Sequence, residues 1–137
     1  MDEIGFRTVK GLIGLYFIYL VDQQIPYPFR PSRLIYIGMS ESKSNSIGNR
    51  LRDHKSGQSG NPGLTNYISI GATRFTYLDY EFLNVLGEYG VLQLEGIFLR
   101  NFCDSHGSQP ISNNQAGIEL TSAAPPTHLE IDWGYFN

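Results

Sequence analysis

One α/β domain, built on a small, mostly antiparallel three-stranded sheet flanked by helices, is the fold class this sequence predicts. Three observations predict it. Two runs rich in β-branched and aromatic residues, each bounded by turn formers, read as paired strands within 12–21 and 33–38. A third run, Arg74-Phe75-Thr76-Tyr77-Leu78-Asp79-Tyr80, alternates as a half-buried strand does. Apolar residues at helical spacing follow both the hairpin and the third strand. At 137 residues the chain is large enough for a single modest core.

Composition narrows the class further. A hydrophobic fraction of 41% with 17% charged residues is that of an ordinary folded chain and excludes general disorder. The one cysteine, Cys103, cannot close an internal disulfide and fits a reducing, cytoplasmic compartment. The apolar run from Leu12 to Val21 is too short for a bilayer, which needs about 20 residues. Asp2 and Glu3 before it, and Asp22-Gln23-Gln24 after it, do not suit a secretory signal. A soluble protein with no membrane partner is expected.

The elements follow in order. Residues 1–11 form a mixed-charge lead-in without periodicity, and the first strand covers about 12–21. Residues 22–33 hold three prolines, each lacking a backbone donor, so this stretch is a long protruding insert between the strands. Its Tyr27 and Phe29, with Arg30 and Arg33, suit a DNA-contacting finger or, alternatively, a loop whose aromatics fold back on the domain. The second strand ends at Gly38, and Ser46 is placed to cap a helix from Ile47 to about Lys55. Glycines and a proline make 56–66 a flexible loop, with a short element beginning at Tyr67. After the third strand, 81–87 reads as either a strand extension or a helical turn. Leu92, Leu99, Phe102 and Cys103 mark a helix over about 89–104, ended by His106-Gly107. Residues 107–117 cross back over the core. The tail, 118–137, is either an edge element or a docking peptide.

Net charge is -3, yet its distribution is uneven. Residues 30–55 carry Arg30, Arg33, Lys43, Arg50, Arg52 and Lys55 against Glu41 and Asp53 alone. Residues 76–137 hold eight carboxylates against Arg100. A basic surface confined to one segment suits phosphate binding and does not suit coating nucleic acid everywhere.

Gly14-Leu15-Tyr16, Tyr36-Ile37-Gly38, Arg50 and His54 one helical turn apart, Glu95 on a later helix, and Pro110-Ile111-Ser112-Asn113 occur in that order. Together they resemble the GIY-YIG nuclease superfamily over about residues 12–117, leaving 118–137 as a C-terminal tail. The resemblance implies a DNA endonuclease that hydrolyses phosphodiester bonds with one divalent cation, Mg2+ or Mn2+. It implies that Tyr16 acts as base or water-positioning residue and that Tyr36 bonds near the scissile phosphate. It further implies that Arg50 stabilises the phosphate, that His54 contacts phosphate or relays a proton, and that Glu95 holds the metal. Asn113 would brace the tyrosine or glutamate shell, with Asn114 one residue away in the alignment.

The chemistry agrees with the residue types. Cleaving a phosphodiester needs an activated nucleophile, charge neutralisation at phosphorus and a positioned leaving group. A guanidinium is permanently charged and grips two phosphate oxygens. Tyrosine titrates near 10 and needs a nearby cation to act as a base. Glu95 lies among Leu92, Leu94, Ile97, Phe98 and Leu99, where an ionised carboxylate is costly unless paired or metal-bound. Each residue alone has a plainer reading, as a core aromatic, a solvated arginine or a surface histidine. Arg30, Arg33, Arg52 and Lys55 complete the expected DNA-contacting set. No separate recognition domain is visible, so specificity falls to the insert, the tail, a homodimer or a partner protein. The rival expectation is a catalytically silent nucleic-acid-binding or protein-interaction module on the same fold.

Overall fold

The computed structural model describes residues 1–83, 89–113 and 130–137. It opens with a helix that the sequence does not announce, α1 (Glu3–Thr8), capped by the Asp2 carboxylate accepting from the Gly5 N–H at 2.8 Å. So short a helix offers little periodicity; Phe6 and Val9 anchor it by burial.

Strands β1 (Gly14–Leu20), β2 (Leu34–Ser40) and β3 (Thr73–Asp79) make one antiparallel sheet in the order β2-β1-β3. All of β1 is buried, because it is central and covered on both faces. Tyr16 pairs with Gly38 and Ile18 with Tyr36, whereas Tyr19 pairs with Leu34. The register shift makes Ile35 the extra residue of a bulge, so that Leu34 joins one core face and Ile35 the other.

The next helix is α2 (Ile47–Ser56). Ser46 stands at its cap position, as expected, but its hydroxyl makes no capping bond. The first helical N–H groups bond instead to Leu12 O and Val9 O, at 3.0 and 3.3 Å. A Cβ on Gly48 would lie 2.4 Å from Phe6 O, so α1 and α2 meet only because that position has no side chain.

The loop expected at 56–66 is corrected at its second half, where α3 (Pro62–Ile70) begins. Pro62 occupies the first turn, where a missing N–H costs nothing, and Asn61 Oδ1 accepts from the Leu64 N–H at 3.1 Å. Its apolar pattern is weak because Leu64 alone is fully buried. Residues 81–83 belong to a helical turn, α4 (Tyr80–Leu83), and the remainder of 81–87 lies outside the described residues.

Helix α5 (Val91–His106) ends at Gly107, whose φ of 91° is left-handed as the sequence predicts. Its buried stripe runs through Val91, Leu94, Phe98 and Phe102. Leu92, expected on the stripe, is 58% exposed because it sits one residue further round the helix.

Two helical layers enclose the sheet. Leu15, Phe17, Tyr19, Leu34 and Ile37 pack against α5 and against Trp133 and Phe136, which belong to a 3-10 turn at Trp133–Phe136. Tyr16, Ile18, Leu20 and Ile35 pack against α1, α2 and α3 through Phe6, Val9, Ile47, Leu51 and Leu64. The described end of the tail is thus part of the core. No helix among the described residues is long and apolar enough to cross a membrane.

The insert does fold back. Tyr27 is buried, donating to Leu34 O at 2.6 Å and accepting from the Ile111 N–H at 3.0 Å, while Phe29 is 71% exposed. Ile25 bridges Ser32, and the Phe29 N–H bonds to His106 O at the end of α5.

Candidate active site

The site is built from the face of the β1–β2 hairpin that packs on α2. Tyr16 and Gly38 are direct cross-strand partners, and the Tyr16 ring lies flat across the glycine. A Cβ on Gly38 would stand 2.2 Å from Tyr16 Cζ and 2.4 Å from its hydroxyl oxygen. Only glycine leaves room for the ring to reach α2. There the Tyr16 hydroxyl meets His54 Nε2 at 2.7 Å. Tyr36, two residues before Gly38 on the same face, completes an aromatic triangle. Its ring centroid lies 6.0 Å from Tyr16 and 5.0 Å from His54, edge-on to the latter.

Burial sets the protonation states. Tyr16 is pushed well above the ordinary tyrosine pKa, by desolvation first and Tyr36 second, with Arg50 pulling the other way. Burial and the Arg50 charge hold the His54 imidazolium off, lowering its pKa to about 4. His54 is therefore neutral at pH 7, and the direction of its bond to Tyr16 follows its tautomer: Nε2 accepts from the phenol when Nδ1 carries the proton and donates to it when Nε2 does. Tyr36 is also raised, by burial and then by Glu95.

Arg50 stands one turn before His54 on α2, and its charge acts on Tyr16, Tyr36, His54 and Glu95 alike. Glu95 reaches this group from α5, past the edge strand β2. Burial pushes its carboxyl up to about 7, Arg50 opposes that rise, and the exposed Glu41 adds to it. Among the described residues Glu95 has no ion pair within 4.0 Å. A half-buried carboxylate so weakly compensated is one that a hard divalent cation would stabilise. No group of three or more His, Cys, Asp or Glu that could hold a metal ion occurs among the described residues. A cation here would rest on Glu95 and on oxygens from a substrate, an arrangement that suits Mg2+.

Among the described residues, Asn113 makes its side-chain hydrogen bonds to backbone and not to the cluster. Its Oδ1 accepts from Ile37 N at 2.8 Å and its Nδ2 donates to Ile37 O at 2.7 Å, clamping the outer edge of β2 between Tyr36 and Gly38. Asn61, which the sequence did not single out, ties that clamp to α3 by donating to Ser112 O at 3.0 Å. Asn114 lies outside the described residues.

The structure gathers Tyr16, Tyr36, Arg50, His54 and Glu95 and sets Asn113 behind them. It does not bring the four expected DNA contacts to the cluster. Arg30 bonds to Ser105 Oγ, and Arg33 donates to Asn137 O and Tyr135 O at 3.0 and 2.8 Å, both at the far end of the hairpin. Arg52 pairs with Glu3 at 2.5 Å, and Lys55 donates to Met1 O at 3.1 Å. Glu41, Gln58 and Ser59 border the cluster without having been foreseen. They lie in polar turns, where no periodicity distinguishes one residue from the next. An apolar cavity of about 370 Å3 beside Phe17, Leu78 and Trp133 lies on the opposite face of the sheet and contains none of the cluster residues.

Comparison with family models, curated proteins and solved structures gives no significant match to this chain.

Proposed function

We propose that this chain is a divalent-cation-dependent DNA endonuclease of the GIY-YIG type. The observation that carries the reading is the buried Tyr16–His54 hydrogen bond of 2.7 Å, set against the charges of Arg50 and Glu95. Tyr16 is too strongly protonated to serve as a free phenolate. With Nε2 as acceptor, neutral His54 holds the phenol hydrogen and leaves the Tyr16 oxygen its lone pairs to orient the attacking water, whose proton passes to solvent as the attack proceeds. The water oxygen bonds to phosphorus while the bond from phosphorus to the leaving sugar oxygen breaks. Arg50 offsets charge on the non-bridging oxygens. A bound divalent cation would add Lewis-acid polarisation of the phosphate. Glu95 would hold it, and Asn113 keeps β2 in register behind Tyr36.

A second reading, a catalytically silent module binding nucleic acid or protein, is favoured by one observation. Tyr16 is 0% exposed, so its pairing with His54 also serves as an internal structural bond. Incubation with plasmid and branched DNA, with and without Mg2+ or Mn2+, separates the two. The nuclease reading expects cation-dependent nicking that Arg50→Ala and Tyr16→Phe both lose. Retained DNA binding with no cleavage under any condition establishes the silent module. The same titrations at several salt concentrations test the insert. Neutralising Arg30 or Arg33 lowers the salt slope by about 0.9 for each phosphate that the side chain held.

A further inference from the structure

The Arg50 side chain borders two separate cavities. One, of about 310 Å3, is bounded by Met39, Ser40, Glu41, Ser42 and Asn45 at the end of β2. Glu41 relates it to Glu95, on which its charge acts. The other, of about 170 Å3, is bounded by Asp53, His54, Gln58 and Ser59. Of the residues the nuclease reading employs, Arg50 lines the first and Arg50 with His54 the second, while Asp53, Gln58 and Ser59 have no part in that reading.

Three of the residues lining the smaller cavity carry a buried polar atom without a hydrogen-bond partner among the described residues: Arg50 Nε, His54 Nδ1 and Ser59 Oγ. His54 itself is 2% exposed. In the tautomer whose Nε2 accepts from Tyr16, Nδ1 bears the proton, and all three atoms are then able to donate. Buried donors are rarely left unsatisfied, and three around one small cavity with a guanidinium among them call for an anionic oxygen. The loop is held in place beforehand, since the Gln58 and Ser59 N–H groups both bond to Asp53 O, at 3.0 and 3.2 Å.

We propose that this cavity is a second phosphate subsite, taking the phosphodiester next to the scissile one on the same DNA strand. Successive phosphates follow one another along a strand, so a single guanidinium between two cavities serves both. The proposal rests on the nuclease reading for its occupant. Ser59 is a binding residue in this subsite, and His54 joins the two positions, with Nε2 toward Tyr16 and Nδ1 toward the flanking phosphate. The Asp53 carboxylate opposes the anion and weakens the site.

The test replaces the phosphates of a cleaved oligodeoxynucleotide one at a time by neutral methylphosphonate and measures binding in EDTA. For the parent protein, one position flanking the cut loses about tenfold in affinity, the low end for a hydrogen bond to a charged group. In Ser59→Ala the same replacement costs about threefold or less, because the hydroxyl that would have bonded there is already absent. That variant removes a hydroxyl that has no partner among the described residues, so the fold is expected to hold. Asp53→Asn binds the unmodified strand two- to threefold more tightly. An equal penalty in parent and Ser59→Ala, or weaker binding by Asp53→Asn, overturns the subsite while cleavage leaves the nuclease reading standing. Failure to bind or cleave any DNA overturns the nuclease reading, and the proposed occupant with it.

Discussion

Replacing Glu95 by Gln keeps the side-chain shape and removes the charge. In the folded chain, burial moves the Glu95 carboxyl from 4.5 to about 7. That shift corresponds to about 3 kcal/mol, and the remaining access of the half-buried carboxyl to water lowers the working figure to about 2 kcal/mol. The sign follows from the raised folded-state value. Below pH 4.5 the carboxyl is protonated in both states and carries no penalty; the penalty grows as pH rises through 7. Metal-free Glu95→Gln is therefore expected to be more stable than the parent by about 2 kcal/mol at pH 8, and nearly equal to it at pH 4.5. For a domain of this size the difference at pH 8 is about 7 °C in Tm. Thermal or urea melts in EDTA at the two pH values measure it. Adding Mn2+ at about 100 times its Kd raises the parent by about 2.7 kcal/mol and leaves the variant unmoved. A Glu95→Gln protein that is less stable than the parent at pH 8, or that gains equally from Mn2+, refutes the placement of an uncompensated, metal-binding carboxylate here.

The other predictions concern the hairpin. Tyr16→Phe keeps the ring but leaves His54 Nε2 unpaired, so it should cost about 1–2 kcal/mol in denaturant melts while abolishing cleavage. Gly38→Ala forces the Tyr16 ring off its path; an expected loss of about 3 kcal/mol or more, with altered near-UV circular dichroism, distinguishes it from a benign surface change. Asn113→Ala strips both hydrogen bonds from Ile37, and hydrogen exchange should show that amide opening with about 2–4 kcal/mol less protection. His54, lowered to about 4, contributes stability above its unfolded value near 6.5 that is lost as pH falls toward 4. A His54→Gln variant should flatten that acid limb in melts run across the range.

What could be read from the sequence was whatever carries a local rule. The two motif strands, the third strand and the helix after Ser46 follow from periodicity and the Gly107 stop from capping chemistry, with bounds that moved by only a residue or two, although Ser46 itself makes no capping bond. Helix α1 escaped because two apolar residues make no pattern. Helix α3 escaped because Gly57, Gly60, Pro62 and Gly63 argue for a loop until Asn61 is seen to cap it. The cluster residues are legible as a motif, while the bond between Tyr16 and His54 joins a strand and a helix residue 38 positions apart in sequence. Counting cations along 30–55 cannot reveal that Arg33 donates to the carbonyls of residues 135 and 137, or that Arg52 pairs with Glu3.

The notch at Gly38 also bears on how the hairpin finds its pairing during folding. Slipping β2 by one residue would set Ile37 or Met39 opposite Tyr16, and either side chain would bar the ring from the helix. Such a slip also exchanges the two faces of the strand, sending Ile37 away from α5. A chain that closes in the wrong register would therefore lose its packing and its Tyr16–His54 bond at the same step. Misregistered hairpins of this protein should be short-lived, because nothing then offsets the entropy of ordering the strands.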